Sequence, residues 1–364
     1  MTAFSDEPVQ NPFILNRNEE RILQAVHDLE CLTLDDIMHL LQFSKGARTY
    51  VGSIMRKLSG GRDYDDQQFL YRFPVPSATK GPKERVYCLG AKAREVLAIE
   101  DVYRPSAKFR YLTYSPILHD LVLSRFLAVA TTYFQAQRDY RLLETRTCYQ
   151  LASNPPSISI NQNGQKTTIT VVPDAWLFIE RVKDRSEYPL WIEIDRGTEN
   201  RQKFQRLVRN RLTLAKSPQY EKMFNTTAVL FCYVTAGTPE KTDFRLDNML
   251  RWTEDELPHK DVLVKEEELT PEDKVQLKER EQYASLFRFA TIEYETMYDP
   301  PDTLFTKPVW FKPDEPDPVL LFDPVTPPNQ QETGYGQGET DPNRCREHKT
   351  TATVVDSEAI GHNS

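Results

Sequence analysis

Cysteine and histidine are scarce in this chain of 364 residues, five and six respectively, and neither type is clustered. Cys31, Cys88, Cys148, Cys232 and Cys345 lack metal-ligand spacing, and the dispersed histidines support no zinc site. Cys88 and Cys232 lie in apolar strand patterns, where a cysteine reads as a small buried hydrophobe. This cysteine usage points to a reducing compartment, and so to the cytoplasm. Long hydrophobic runs are missing as well. The stretch Ala228 to Val234 is far too short to span a bilayer, so no membrane-spanning segment is expected. The first residues, with Asp6 and Glu7 and no apolar segment, do not read as a signal peptide. No internal repeat is evident.

What remains is ordinary for a globular protein, at 39% hydrophobic and 27% charged residues, with length enough for two domains. The net charge of −8 is unevenly placed. Residues 314–364 account for nearly all of it, with ten acidic and three basic side chains, and the preceding chain is close to neutral. Bulk charge therefore does not argue against a polyanionic partner.

After a loose arm at 1–15, apolar residues recur at helical spacing at Ile22, Leu23, Val26 and Leu29. Thr33 with Asp36 reads as a helix cap ahead of Ile37, Leu40 and Leu41. Ser44 reads as a second cap, opening a third helix that buries Val51, Ile54, Met55 and Leu58. Gly60-Gly61 ends that helix. Residues 69–73 and 86–89 read as a hairpin around a loop with Lys80, Lys83 and Arg85, and a short helix follows at 91–97. Three helices and a hairpin make a winged helix-turn-helix over residues 16–100.

The second helix of such a pair enters the major groove with its early residues. Here it carries Lys45, Arg48, Arg56 and Lys57 with no acid between Ser44 and Leu58. Arg48, Thr49 and Tyr50, near its start, are the candidates for base or sugar contacts. Lys80, Lys83 and Arg85 add a positive wing. Solvation of one helix face, or a protein-interaction role, is the alternative. Asp63, Asp65 and Asp66 weigh against tight binding.

Beyond a connector at 101–117, a helix is predicted over 119–137 and a strand over 140–147. A strand over 166–180 and another over 190–195 follow, then a basic helix from Glu199 to Arg211 and a buried strand over 227–235. That order defines an α+β or α/β core, αβββαβ, over 118–312. Ten of the 25 prolines lie from Pro300 onward, and residues 313–364 read as a disordered, acidic, proline-rich tail.

Within the core, Trp191, Glu193 and Asp195 share one strand face, and Asp174 opens the neighbouring strand. Two carboxylates meeting at a sheet edge suit Mg²⁺, which takes few protein ligands and would orient water against a phosphate. Asp174 and Glu193 are the candidate catalytic pair, and Asp174, Glu193 and Asp195 the candidate metal ligands. Lys203 is the candidate ammonium, with Glu199 and Gln202 as accessory groups. Arg196 and Arg201 are candidate DNA contacts, though Arg196, Arg201, Arg206, Arg209 and Arg211 spread over several helix faces. The bland alternative is that the acids pair with the neighbouring arginines.

Pro173, Asp174, Glu193 and the surrounding order of elements resemble the PD-(D/E)xK nuclease superfamily, a restriction-endonuclease-like fold. The departure is Asp195, which stands where that superfamily has its lysine, and an aspartate repels phosphate instead of stabilising it. The chain as a whole resembles the replication-relaxation family. The resemblance rests on the winged-helix pattern at 17–100, His119-Asp120-Leu121-Val122 and Val172-Pro173-Asp174-Ala175. It rests further on Glu193-Ile194-Asp195-Arg196-Gly197-Thr198 and Pro308-Val309-Trp310. It implies that Asp195 is a family trait. It also implies a duplex-DNA-binding accessory protein of plasmid or mobile-element replication and mobilisation, with replication or relaxosome proteins as partners. The nuclease-like domain would lack efficient catalysis. An Mg²⁺-dependent endonuclease using Asp174 and Glu193 is the alternative, and a winged-helix transcriptional regulator a second one.

Overall fold

The computed structural model describes residues 15–60, 68–75, 84–98, 114–162, 165–195, 197, 199–259, 270–294, 296–298 and 300–322. The chain opens with α1 (Arg17–Leu29), where Asn16 and Glu19 form a reciprocal capping box. A three-residue strand, β1 (Cys31–Thr33), leads into α2 (Leu34–Leu40), capped by Thr33 and Asp36 as their spacing predicts. Each such cap contributes about 1 kcal/mol. Ser44, predicted as the next cap, instead precedes a single tight turn and makes no capping hydrogen bond, and α3 (Arg48–Leu58) starts after it. The hairpin β2 (Leu70–Pro74) and β3 (Arg85–Leu89) pairs antiparallel, and β1 joins its other side to give the order β1-β3-β2. A short helix, α4 (Ala91–Leu97), follows. The connector predicted at 101–117 lies outside the described residues up to 113.

The long helix α5 (Tyr114–Ala136) buries nearly every residue from Leu121 to Ala130. It leads to β4 (Tyr140–Thr147) and the short α6 (Cys148–Ala152). The predicted strand over 166–180 is in fact two. The hairpin β5 (Ser157–Gln162) with β6 (Gln165–Thr170) forms a separate two-stranded sheet, and β7 (Ala175–Arg181) begins only after Asp174. Polar, β-branched residues fill β6, and its exposed face gives them no reason to join the core strand.

The rest of the body is β8 (Glu187–Asp195), α7 (Arg201–Ala215), α8 (Pro218–Phe224), β9 (Leu230–Ala236), α9 (Pro239–Glu254), α10 (Pro271–Ala284), β10 (Phe287–Ile292) and α11 (Thr303–Thr306). The main sheet runs β10-β9-β8-β7-β4, with β8, β9 and β10 parallel and β7 antiparallel to both of its neighbours. Period-two alternation gives the inner strands β8 and β9 two buried faces, whereas β4 at the edge is mostly half-buried or exposed. Leu190, Ile192 and Ile194 share a core with α5, whereas Trp191, Phe231 and Tyr233 share one with α7 and α8. The fold is thus mixed α+β, with helices on both faces of a mixed sheet. Residues 313–322, assigned by composition to the tail, are packed: Val319 bridges to Trp310, Leu321 is buried, and Phe322 stacks on Tyr140.

One buried charge cluster ties the first helices to the body. Arg125 of α5 donates through Nε to Asp36 of α2 at 2.9 Å and through Nη1 to the Tyr294 carbonyl at 2.9 Å. Its guanidinium lies 3.7 Å from the Tyr294 ring centroid, and Tyr298 donates its hydroxyl to the same Asp36 oxygen at 2.5 Å. Burial opposes the charge on Arg125, but Asp36 and the two tyrosines outweigh it and raise its pKa further. Removing one partner of a buried pair strands the other charge. Arg125→Ala is therefore expected to lower unfolding free energy by about 3–5 kcal/mol in urea titrations, and a loss under 1 kcal/mol would contradict this role.

Candidate functional site

Asp174 is held where β7 begins. Its N–H donates to the Ile192 carbonyl at 3.0 Å, and its carbonyl accepts from Cys148 N–H at 2.8 Å. Its carboxylate accepts from Ile194 N–H at 2.7 Å and contacts His119 Nε2 of α5 at 3.1 Å. The other ring nitrogen of His119 lies 2.9 Å from Asp120. Burial alone would lower the His119 pKa. The two carboxylates override it and raise the value to about 9, so the ring is a cation at neutral pH.

Glu193, one strand over, accepts from Trp191 Nε1 at 2.7 Å and pairs with Arg211 of α7, which is itself buried. Burial pushes the Glu193 carboxyl up, Arg211 pulls it down, the Asp174 charge pushes it up again, and the balance is upward. Asp195 is buried at the strand end. Arg245 of α9 grips it in a bidentate pair, with Nε at 2.8 Å and Nη2 at 2.7 Å, and also donates to the Glu199 carbonyl at 2.9 Å. Gly197 adds its N–H at 3.0 Å from a backbone φ of 68°, a conformation that favours glycine. Three carboxylates thus receive three cations, each from a different helix.

This donor set does not fit Mg²⁺. Such an ion needs carboxylates free to face it, whereas each of these is already matched by a protein cation. Among the described residues no group of three or more His, Cys, Asp or Glu side chains could hold a metal ion. Asp174 and Glu193 sit near each other as the sequence predicts, but Asp195, offered as a third metal ligand, is taken up by Arg245. Lys203, the proposed ammonium, is exposed on α7 and pairs with Glu199 at 2.7 Å. Arg201 pairs with Asp255 at 2.5 Å and Arg209 with Glu256 at 2.7 Å, while Arg206 is exposed. Arg196 lies outside the described residues, and Gln202 is exposed.

Beside this cluster, Glu30 closes α1 with a positive φ of 68° and lines a cavity of about 480 Å³ together with His27, Thr147 and Tyr149. Burial raises the Glu30 carboxyl to about 7. A bond with Thr147 opposes the shift, and the Asp120 and Asp174 charges add to it. Strongly shifted groups gathered at one place mark a candidate site. Sequence reading missed the pairing of His119 with Asp174, although both lay in quoted motifs. It had no signal at all for Arg245, fifty residues from its partner.

The second candidate surface is α3 with its hairpin. Lys45, Arg48, Thr49, Tyr50, Arg56, Lys57 and Arg85 are all exposed; Lys80 and Lys83 fall outside the described residues. Some of this charge is answered locally. Arg48 pairs with Asp35, Lys57 pairs with Glu19 at 2.6 Å, and Tyr50 accepts from Asn18 at 3.3 Å. Burial raises the Tyr87 phenol, while the charges of Arg85, Arg72 and Arg56 pull it down.

His119 yields a pH prediction. Its pKa is raised above the ordinary 6.5, so its stabilisation is complete below pH 6.5 and is lost as pH climbs through about 9. The difference in urea stability between the native protein and His119→Gln should shrink by up to about 3 kcal/mol from pH 6 to pH 9.5. A difference constant across that window would contradict the assignment.

No helix among the described residues is long and apolar enough to cross a membrane. No curated protein and no solved structure matches the chain. A family model described as replication-relaxation matches residues 23–230, more than half the chain, and takes in both candidate surfaces apart from Arg245. The chain belongs to the replication-relaxation family.

Proposed function

We propose that this protein is a DNA-binding accessory factor in the replication or mobilisation of a plasmid or mobile element. Its N-terminal part would act as a winged helix-turn-helix, and its body as a nuclease-like scaffold. The observation that carries this reading is the set of exposed cations formed by Lys45, in the turn before α3, and Arg48, Arg56 and Lys57 on it, with Arg72 and Arg85 on the strands of the hairpin. Cations on such a helix and on a neighbouring hairpin would meet the phosphates that border a major groove. Tyr50, half exposed at the start of α3, and Thr49 beside it are the groups nearest base edges in such a docking. Family membership supports a place in replication, and the element order α5, β4, β7, β8, α7, β9 supports the nuclease-like reading of the body.

Cleavage is not part of the proposal. Phosphodiester hydrolysis in such a scaffold needs a metal held by free carboxylates and an ammonium near the attacked phosphate. Here the carboxylates are held by His119, Arg211 and Arg245, and Lys203 is turned to Glu199. The body would then hold a backbone or a partner protein of the replication or relaxosome machinery.

Fluorescence anisotropy with duplex DNA at several salt concentrations tests this. Arg56→Ala with Arg85→Ala should weaken binding across sequences and cut the slope of log K against log salt by about 2, one per lost phosphate contact. Absence of binding at low salt, or an unchanged slope, would overturn the DNA-binding reading. Supercoiled plasmid incubated with Mg²⁺ should stay intact. Nicking that disappears in folded Asp174→Ala would establish the endonuclease instead.

A further inference from the structure

Cys31 and Cys88 play no part in either surface. They face each other directly in the β1–β3 pair, both are buried, and both thiols are free. Their Sγ atoms are 2.8 Å apart. That is well inside van der Waals contact for unbonded sulfurs, and a disulfide bond of about 2.05 Å needs a movement of less than about 1 Å. Composition alone presented these as two scattered cysteines, because 57 residues separate them along the chain.

We infer that Cys31 and Cys88 are an oxidation site, a dithiol that closes to a cross-strand disulfide when the protein meets a low-molecular-weight disulfide. One cysteine loses its proton and its thiolate attacks the oxidant RSSR. A mixed disulfide forms, and RS⁻ leaves and takes up a proton. The second cysteine, deprotonated in turn, attacks the protein-side sulfur of that mixed disulfide, forms the Cys31–Cys88 bond and releases the second RS⁻, which is protonated to RSH. Two protein thiols are oxidised, and one RSSR is reduced to two RSH.

The position of the pair says what the bond would do. The closed loop encloses α2, α3 and β2, the whole of the exposed basic helix together with the strand that carries Arg72. Closing so long a loop removes conformational freedom from the unfolded chain and stabilises the fold of that segment. β1 is only three residues long and lies at the edge of its sheet, so it is the element whose local opening would expose the sulfurs. Burial and the neighbouring Cys88 push the Cys31 thiol up, which keeps the thiolate scarce while β1 is closed and makes the reaction depend on that opening.

The test uses the full chain, purified reduced and then incubated with glutathione disulfide in mild urea. Alkylation without reductant, intact mass and peptide mapping follow. The expected product has lost two hydrogens and carries no glutathione at either site. Its cross-linked peptide contains Cys31 and Cys88, and Cys148, Cys232 and Cys345 remain open to alkylation. Its thermal midpoint should rise by several degrees and return on adding reductant. Cys31→Ala should abolish that shift and Cys345→Ala should preserve it. Alkylation of both Cys31 and Cys88 after treatment, a different pairing, or a shift that persists in Cys31→Ala would each overturn the inference.

Discussion

Asp36, Asp174, Glu193 and Asp195 are each matched by a cation brought from elsewhere in the chain, and these pairs fix how the helices sit on the sheet. Helix α5 is the centre of it. Arg125 reaches Asp36 at the cap of α2, and His119 reaches Asp174 at the start of β7. The same apolar helix therefore fixes the N-terminal helices on one side and the carboxylate end of the sheet on the other. Arg211 and Arg245 repeat the device from the opposite layer, binding α7 to Glu193 and α9 to Asp195. An uncompensated charge in such surroundings costs several kcal/mol, so each pair constrains where its helix can lie.

The same constraint changes the meaning of the carboxylates. Acids at adjacent strand ends ahead of a basic helix have the layout of a metal-dependent nuclease site. The residue type alone does not decide their use; what faces each oxygen does. His119 is held cationic by Asp120 and Asp174, Arg211 is drawn inward to Glu193, and Arg245 closes on Asp195. The proposed function rests instead on the cations of α3 and its hairpin, among them Arg56, Arg72 and Arg85, whose charges all act on Tyr87.

Much of the fold was legible in the sequence because it rests on local periodicity. The faces of α1 and α3, the Thr33 cap and the alternation of Leu190, Ile192 and Ile194 against Trp191 and Glu193 all appear as spacing. The elements that escaped are those too short or too polar to carry a period. β1 is three residues long, and between the polar β6 and β7 only Pro173-Asp174 marks a break, after two valines that extend the strand pattern. At the site, Asp174 and Glu193 could be paired because a hairpin sets their register. Arg245 and Arg125 could not be assigned, since nothing local distinguishes an arginine that turns inward from one that solvates a helix. The Cys31–Cys88 contact was hidden for the same reason.

Divalent-cation binding bears most directly on the central claim, that these carboxylates are engaged by protein cations and are not metal ligands. Titration of the full chain with Mn²⁺, followed by electron paramagnetic resonance of the free ion, reads this without reference to DNA. The account predicts no stoichiometric site, and the same weak background in Asp174→Asn and Glu193→Gln as in the native chain. One tightly bound Mn²⁺ per chain, lost in both variants, would contradict it.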